Sequence, residues 1–121
     1  MAGRLQEFRE FREKMNERIR AAKNLQINRF FTLDGNAYTD GALDVRTKEF
    51  AGLAASMVLR CDDCIAYHTI RCKELGASDA QMMEIINVGL IIGGSIVIPH
   101  LRRAVALLDE INAAISEGPE R

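Results

Sequence analysis

The chain has 121 residues, of which 48% are apolar and 27% charged, and its formal net charge is −1. That size supports one globular domain with a modest core, and the near-neutral charge gives no electrostatic basis for binding nucleic acid or an anionic membrane. The N-terminus runs directly into a charged segment, and the longest apolar stretch, residues 88–99, is too short to span a bilayer. We therefore expect a cytoplasmic protein, in which three cysteines are not a structural disulfide framework.

Residues 4–24 predict an amphipathic helix, because apolar side chains recur there at spacings of three and four. Such a stripe must be covered either by the rest of the chain or by another subunit, and the sequence favours neither. Residues 25–41 are less regular, with turn signals at 34–36 and 40–41. The apolar positions of the first helix are Leu5, Phe8, Phe11, Met15, Ile19 and Ala22.

Four further helices follow, and the chain contains no strand pattern of useful length. Gly76 is a typical helix stop, and Ser78 with Gln81 has the spacing of a capping box at the next helix start. That next helix is apolar on most sides and is expected to be central, while Pro99 falls in the first turns of the last helix, where proline is tolerated. The predicted helices cover residues 42–59, 62–75, 78–94 and 95–116.

The fold class is therefore all-α, with about five to six helices in a single domain spanning residues 1–121. Within it we distinguish an N-terminal helix, residues 1–24, from a core, residues 42–116. The tail, residues 117–121, is expected to be frayed.

A dithiol motif dominates the core segment. Cys61 and Cys64 are three residues apart, and His68 follows Cys64 by one helical turn, so a helix places the three on one face. Glu49, on the preceding helix, is a carboxylate that can orient the imidazole. Thiol redox chemistry needs these groups: an attacking thiolate, a resolving thiol and a base that moves protons.

The residues alone do not decide which thiol attacks. Cys61 lies near the helix N-terminus, where unpaired amides stabilise a thiolate, whereas Cys64 lies one turn from His68, which can accept its proton. Asp62 and Asp63 stabilise the helix start but oppose a neighbouring thiolate.

Zinc binding is an alternative use of the cysteines and histidine, and Cys72, Tyr67 and His100 each have two interpretations. Cys61 and His68 are roughly 10 Å apart along a continuous helix, so one zinc ion requires a helix break or another ligand such as His100. Cys72 follows Cys64 and His68 on the same face of the helix. It is either an auxiliary thiol or, in the favoured interpretation, a small buried hydrophobe. Tyr67 donates a hydrogen bond or simply packs, and His100 lines a pocket or, preferably, makes a subunit contact.

A set of residues spread over positions 42–108 carries a family resemblance. It comprises Glu49, Cys61, Cys64 and His68, followed by Gly76-Ala77-Ser78, Gly93-Gly94-Ser95 and Pro99-His100. In this set the chain resembles the carboxymuconolactone decarboxylase family, and more narrowly its alkylhydroperoxidase D-like branch. The resemblance implies a helical homotrimer or homohexamer with sites near subunit interfaces and no metal or organic cofactor.

The resemblance also implies residue roles. Peroxide oxidises the second cysteine, Cys64, to a sulfenic acid, and Cys61 resolves it to a disulfide, while His68 and Glu49 form a proton relay. An external dithiol, from a lipoyl or thioredoxin-like protein, reduces the pair again. Asp63 stands where the best-known peroxidase member has a histidine, which leaves general thiol–disulfide exchange as another use of the pair. Lactone decarboxylation is disfavoured, because it does not depend on these cysteines.

Our first hypothesis is therefore a thiol-dependent peroxidase or disulfide oxidoreductase acting on hydroperoxides. The second is a redox-sensing or small-molecule-binding helical oligomer without turnover, and the third is a structural zinc protein.

Overall fold

The computed structural model describes residues 3–117, which form six α-helices and one 3-10 turn and contain no strand. This confirms the all-α fold class. None of the helices in the described range has the length and apolar character needed to cross a membrane. The helices are α1 (Arg4–Ala21), α2 (Leu25–Ala37), α3 (Val45–Leu59), α4 (Asp62–Glu74), α5 (Asp79–Gly93) and α6 (Ile98–Ser116), with the 3-10 turn at Ser95–Val97.

The core lies between α3, α4, α5 and α6. Helix α3 packs against both α4 and α5, and α4 packs against α6. Gly89 lets α5 approach α3 closely, since a Cβ there would lie 2.6 Å from the Cβ of Met57 and 3.1 Å from the carbonyl oxygen of Ala54. The largest fully buried apolar side chains of this core are Leu53, Met57, Met82, Ile86, Leu107 and Val97.

The helix starts follow local capping chemistry. Ser78 and Gln81 form the predicted capping box, because each side chain accepts a hydrogen bond from the other's backbone N–H. Helix α3 begins at Val45 rather than at residue 42, since the Asp44 carboxylate caps it by accepting the Thr47 N–H at 2.8 Å. The predicted glycine stop is confirmed at Gly76, whose φ of +89° is unstrained for glycine.

The predicted end of the first helix is three residues too late. Helix α1 ends at Ala21, and Lys23 adopts a left-handed backbone with φ 58°. The first part of the apolar stripe is covered within the chain, because Leu5 and Phe8 pack onto a cluster supplied by α4 and α6. Phe11 is 67% exposed, so the middle of the stripe is not covered in this way.

The sequence indicates no helix in the less regular segment 25–41, but residues 25–37 form α2. Asn24 caps this helix by accepting the Ile27 N–H at 3.0 Å, and the expected turn at residues 34–36 lies inside it. None of its residues is buried. Gly35 and Asn36, which resemble a turn, lie within the helix and concealed it in the sequence.

Two apolar surfaces are exposed. The first, the α2 face, consists of Leu25, Ile27, Phe30 and Leu33. The second, the α5 outer face, consists of Leu59, Val88, Ile91, Ile92 and Ile96. The prediction that α5 is central thus holds for only one side of the helix, which buries Met82, Ile86 and Gly89.

The last predicted helix is divided. Residues 95–97 form the 3-10 turn after Gly94, whose φ is +83°, and α6 then runs to Ser116 with Pro99 in its first turn. Of the tail expected to be frayed, Glu117 is a turn residue, and residues 118–121 lie outside the described residues.

We expect Gly89→Ala to destabilise the protein by about 1–3 kcal/mol, because the added methyl group overpacks the contact between α5 and α3. Gly35→Ala is the matched control: it lies within α2 with open space around it, and better helix propensity should stabilise by up to about 1 kcal/mol. Urea unfolding followed by circular dichroism measures both. Equal stability of the two variants would contradict the close approach of α3 and α5.

Candidate redox site

Cys61 and Cys64 are joined by a disulfide at the start of α4. Cys61 is the N-cap of this helix, and its Sγ lies 3.2 Å from the Cys64 backbone N–H that points toward it. In the reduced protein, the amides and dipole of the helix N-terminus would stabilise negative charge on Cys61. Cys64, one turn into the helix, is exposed.

Glu49 and His68 form a buried pair between α3 and α4. The imidazole Nδ1 lies 2.6 Å from the Glu49 Oε1, and the two side chains are 11% and 1% exposed. A carboxylate only accepts hydrogen bonds, so it fixes the proton of a neutral imidazole on Nδ1 and leaves Nε2 to accept another. The predicted pairing of Glu49 with His68 is therefore present in the geometry.

Two aromatic rings and a glycine lie close to the imidazole. The Tyr38 ring lies 5.4 Å and the Tyr67 ring 5.3 Å from the His68 ring. Gly52 lets the ring pack against α3, because a Cβ there would lie 2.7 Å from the His68 Cε1. Burial, and then the Glu49 carboxylate, raise the pKa of Tyr38 above its ordinary value. Of these residues, the sequence pointed only to Tyr67.

Arg71 approaches the other oxygen of the buried carboxylate. Its Nε lies 3.8 Å from the Glu49 Oε2, and its Nη1 donates to the Glu74 Oε1 at 2.7 Å. Arg71 lies one turn after His68 on α4, so the same helix presents both groups to Glu49. That spacing was the one sequence signal that could have identified it.

Cys72 is a free cysteine, fully buried in the core between the helices. Burial, reinforced by the Glu49 carboxylate, raises the pKa of its thiol to about 12. The favoured interpretation as a small buried hydrophobe is thus the one that the structure supports.

His100 contacts Asp62, one residue after Cys61. Its Nδ1 lies 2.8 Å from the Asp62 Oδ1, and the Arg103 Nη1 lies 3.3 Å from the Asp62 Oδ2. These three side chains lie at the surface end of α4, where the Asp62 carboxylate is far more exposed than that of Glu49, while His100 is only slightly more exposed than His68. The part of the chain from residue 3 to 117 contains no group of three His, Cys, Asp or Glu side chains that could hold a metal ion.

A groove of about 580 Å³ connects the redox residues with α1. This volume lies in the range of small-molecule sites. The wall from α1 is apolar where Phe8, Phe11 and Met15 line it, and Cys64 and His68 line the opposite side together with Tyr67. The charged lining residues are Arg4, Glu7, Arg12, Asp34 and Asp63. The structure therefore opens Cys64, rather than Cys61, toward a groove that has both an apolar patch and charged side chains.

Solved structures of other proteins are similar to this chain over nearly its whole length. The chain is 50% identical to TM1620 of Thermotoga maritima, a carboxymuconolactone decarboxylase family protein for which a role in an antioxidative response has been raised; the match covers 94% of this chain and 97% of that one, with a TM-score of 0.89. A family protein of Legionella pneumophila, at 22% identity and a TM-score of 0.82 over 91% and 98% of the two chains, shares the fold.

Two sequence relatives also match much of the chain. A protein named "Uncharacterized protein 4 in cox locus" from Paracoccus denitrificans is 34% identical over 100 residues, which cover 83% of this chain and 89% of the relative. A second relative, from Cupriavidus necator, is 30% identical over 64% of this chain and 68% of its own. Residues 27–110 match the sequence profile of the carboxymuconolactone decarboxylase family, so the chain belongs to that family.

Proposed function

We propose that this protein is a thiol-dependent peroxidase that reduces hydroperoxides through Cys64 and Cys61. One observation carries the proposal: Cys64 opens into a groove beside His68, whose Nδ1 is fixed by the buried Glu49 carboxylate. This arrangement supplies an accessible nucleophile and an oriented base next to a space for substrate.

The cycle balances in three steps. Neutral His68 accepts the Cys64 thiol proton, and the thiolate attacks the terminal peroxide oxygen, breaking the O–O bond. Cys64 becomes a sulfenic acid, and the departing alkoxide takes the proton to leave as an alcohol. The Cys61 thiol then attacks the Cys64 sulfur, forming the disulfide and releasing water. An external dithiol returns two electrons and two protons, and is itself oxidised to a disulfide.

The groove lining, the exposure of Cys64 and a relative support the proposed substrate, reductant and role. The apolar wall formed by Phe8, Phe11 and Met15 fits the alkyl part of a hydroperoxide. The exposed Cys64 sulfur fits attack by an external dithiol, for which we propose a lipoyl or thioredoxin-like protein in the cytoplasm. The antioxidative role raised for the Thermotoga maritima relative agrees with this chemistry.

Asp63 favours a second candidate function. Its carboxylate lines the groove next to Cys64, where negative charge opposes the thiolate and slows attack on peroxide. A slow thiol pair suits a redox sensor that is oxidised once, or a thiol–disulfide exchanger acting on another substrate.

The first test is peroxide consumption by the reduced protein with a regenerating dithiol. We expect multiple turnovers, abolished in Cys64→Ser. Without the dithiol, Cys61→Ser should consume one equivalent of peroxide and stop with a sulfenic acid on Cys64, which dimedone traps and mass spectrometry detects. Cys72→Ala is the control and should retain turnover, because its buried thiol takes no part. Oxidation of the parent protein without turnover would replace the peroxidase with the sensor.

The raised pKa of Cys72 allows a test of whether this thiol is separate from the reactive pair. Because its pKa is raised from 9.0 to about 12, the folded protein keeps it protonated up to strongly alkaline pH. We expect iodoacetamide at pH 8–9 to label Cys61 and Cys64 of the reduced native protein, and Cys72 only in urea, as read by peptide mass spectrometry.

The unfolded chain ionises Cys72 at lower pH than the folded one, so the stability contributed by this thiol is present below pH 9 and is lost toward pH 12. Native labelling of Cys72 at the rate of the other two would contradict its burial.

We also propose that the protein is a homotrimer or homohexamer. The α2 face and the α5 outer face expose large apolar side chains of the kind that subunit interfaces cover. Ile91→Asp, which places a charge in the α5 outer face, should lower the mass measured by light scattering after size exclusion. Ile115→Asp, at an exposed isoleucine outside both faces, is the matched control and should leave the mass unchanged. A monomeric parent protein would contradict the oligomer.

A further inference from the structure

We propose that Arg71 is a positioning residue that keeps Glu49 ionised while His68 stays neutral, so that His68 remains free to accept the Cys64 proton. The catalytic meaning of this inference rests on the proposed peroxidase function, but its electrostatic content does not. The inference comes from one observation. One oxygen of the buried Glu49 carboxylate faces the His68 imidazole, and the other faces the Arg71 guanidinium.

The contacts divide the Glu49 carboxylate between two partners. Oε1 lies 2.6 Å from the His68 Nδ1, and Oε2 lies 3.8 Å from the Arg71 Nε. Glu74 holds the guanidinium from the outside, with its Oε1 accepting from the Arg71 Nη1 at 2.7 Å. Arg71 is therefore fixed at the protein surface with one edge directed toward the core.

A carboxylate with 1% exposure needs a positive charge nearby. Two sources are available: a second proton on His68, or the guanidinium of Arg71. If His68 supplies the charge, its imidazole is already protonated and cannot act as a base. Arg71 supplies the charge without any protonation of His68, because a guanidinium keeps its charge throughout the pH range of proteins.

The other ionisable groups near the pair do not take over this role. Within residues 3–117, Arg71 is the one arginine or lysine in ion-pair contact with Glu49. Arg46, on the same helix as Glu49, lowers the pKa of Cys72 as Arg71 does, but makes no ion pair with the Glu49 carboxylate in the described range. The remaining groups facing the site are Arg4, Glu7 and Arg12 from α1, Asp34 and Tyr38 from α2 and its cap, and Asp63, Tyr67 and Cys72 from α4.

A second cluster of histidine, carboxylate and arginine in the same protein allows a comparison with the buried one. His100, Asp62 and Arg103 repeat the arrangement, with imidazole Nδ1 on one carboxylate oxygen at 2.8 Å and guanidinium on the other at 3.3 Å. Their side chains are 18%, 32% and 54% exposed. Water screens this set, so removing Arg103 should affect its histidine far less than removing Arg71 affects the buried one.

The experiment is an NMR pH titration of the imidazole Cε1 protons in the disulfide form. The chain has two histidines, so His100→Gln assigns the signals. In Arg71→Met, the His68 signal should titrate at higher pH, with the ratio of protonated to neutral imidazole at a given pH raised roughly tenfold. Arg71→Lys, which keeps the charge, should stay close to the parent protein, and Arg103→Met should leave the His100 signal nearly unmoved.

Arg71→Gln asks the same question with a polar, uncharged side chain and serves if Arg71→Met does not fold. An unchanged His68 titration in a folded neutral variant overturns the inference, whether or not the parent protein is active. A shift in Arg71→Lys equal to that in Arg71→Met overturns it as well, because then packing rather than charge is responsible.

The activity measurement is a pH profile of kcat/KM for peroxide reduction. The acid limb should move to higher pH in Arg71→Met, with activity recovering at alkaline pH, whereas a purely structural loss would lower the rate at every pH. Absence of turnover in the parent protein would overturn the proposed function and leave the NMR result to decide the role of Arg71.

Discussion

The structure depends on placing one ionisable pair, Glu49 and His68, inside the helical core. A nearly fully buried carboxylate is costly unless its oxygens are matched, and here the match comes from α4 while the carboxylate comes from α3. The two helices must therefore keep a fixed spacing and register. Gly52 allows the imidazole ring to lie directly against α3, and Gly89 lets α5 pack closely on the other side of the same helix. Close packing thus holds the pair in place, and in turn holds the cysteines that α4 carries.

The chemistry and the ligand space come from different parts of the chain. Residues 27–110, which match the family profile, contain Glu49, both redox cysteines and His68. Helix α1 lies before this segment, yet Phe8, Phe11 and Met15 from α1 form the apolar wall of the groove. In the proposed function, the reaction is therefore carried by the common fold, and the choice of substrate by a helix that precedes it. Phe11 fits this division, because it is a large exposed aromatic side chain that lines the same groove as Cys64.

The sequence predicted the parts of the site that depend on spacing along one helix. Cys61 at the N-cap of α4, Cys64 and His68 within α4, the capping box at Ser78 and the glycine stop at Gly76 all follow from local rules, and the structure has each of them there. The partners that approach from other helices were harder: Tyr38 and Gly52 act through tertiary packing, for which a single sequence carries no signal. Helix α2 was missed for a different reason, since Gly35 and Asn36 within it resemble a turn.

The structure also accounts for the two opposing arguments about which cysteine attacks. The helix N-terminus favours a thiolate on Cys61, whereas His68 and the groove favour reaction at Cys64. In the proposed cycle both are needed at different moments. Peroxide and the external dithiol reach Cys64, the exposed cysteine that lines the groove. When the dithiol attacks that sulfur, Cys61 departs as a thiolate at the helix N-terminus, where its negative charge is stabilised, and a more stable leaving thiolate departs faster. The N-cap position of Cys61 thus suits the resolving and leaving thiol, and the position one turn later suits the attacking one.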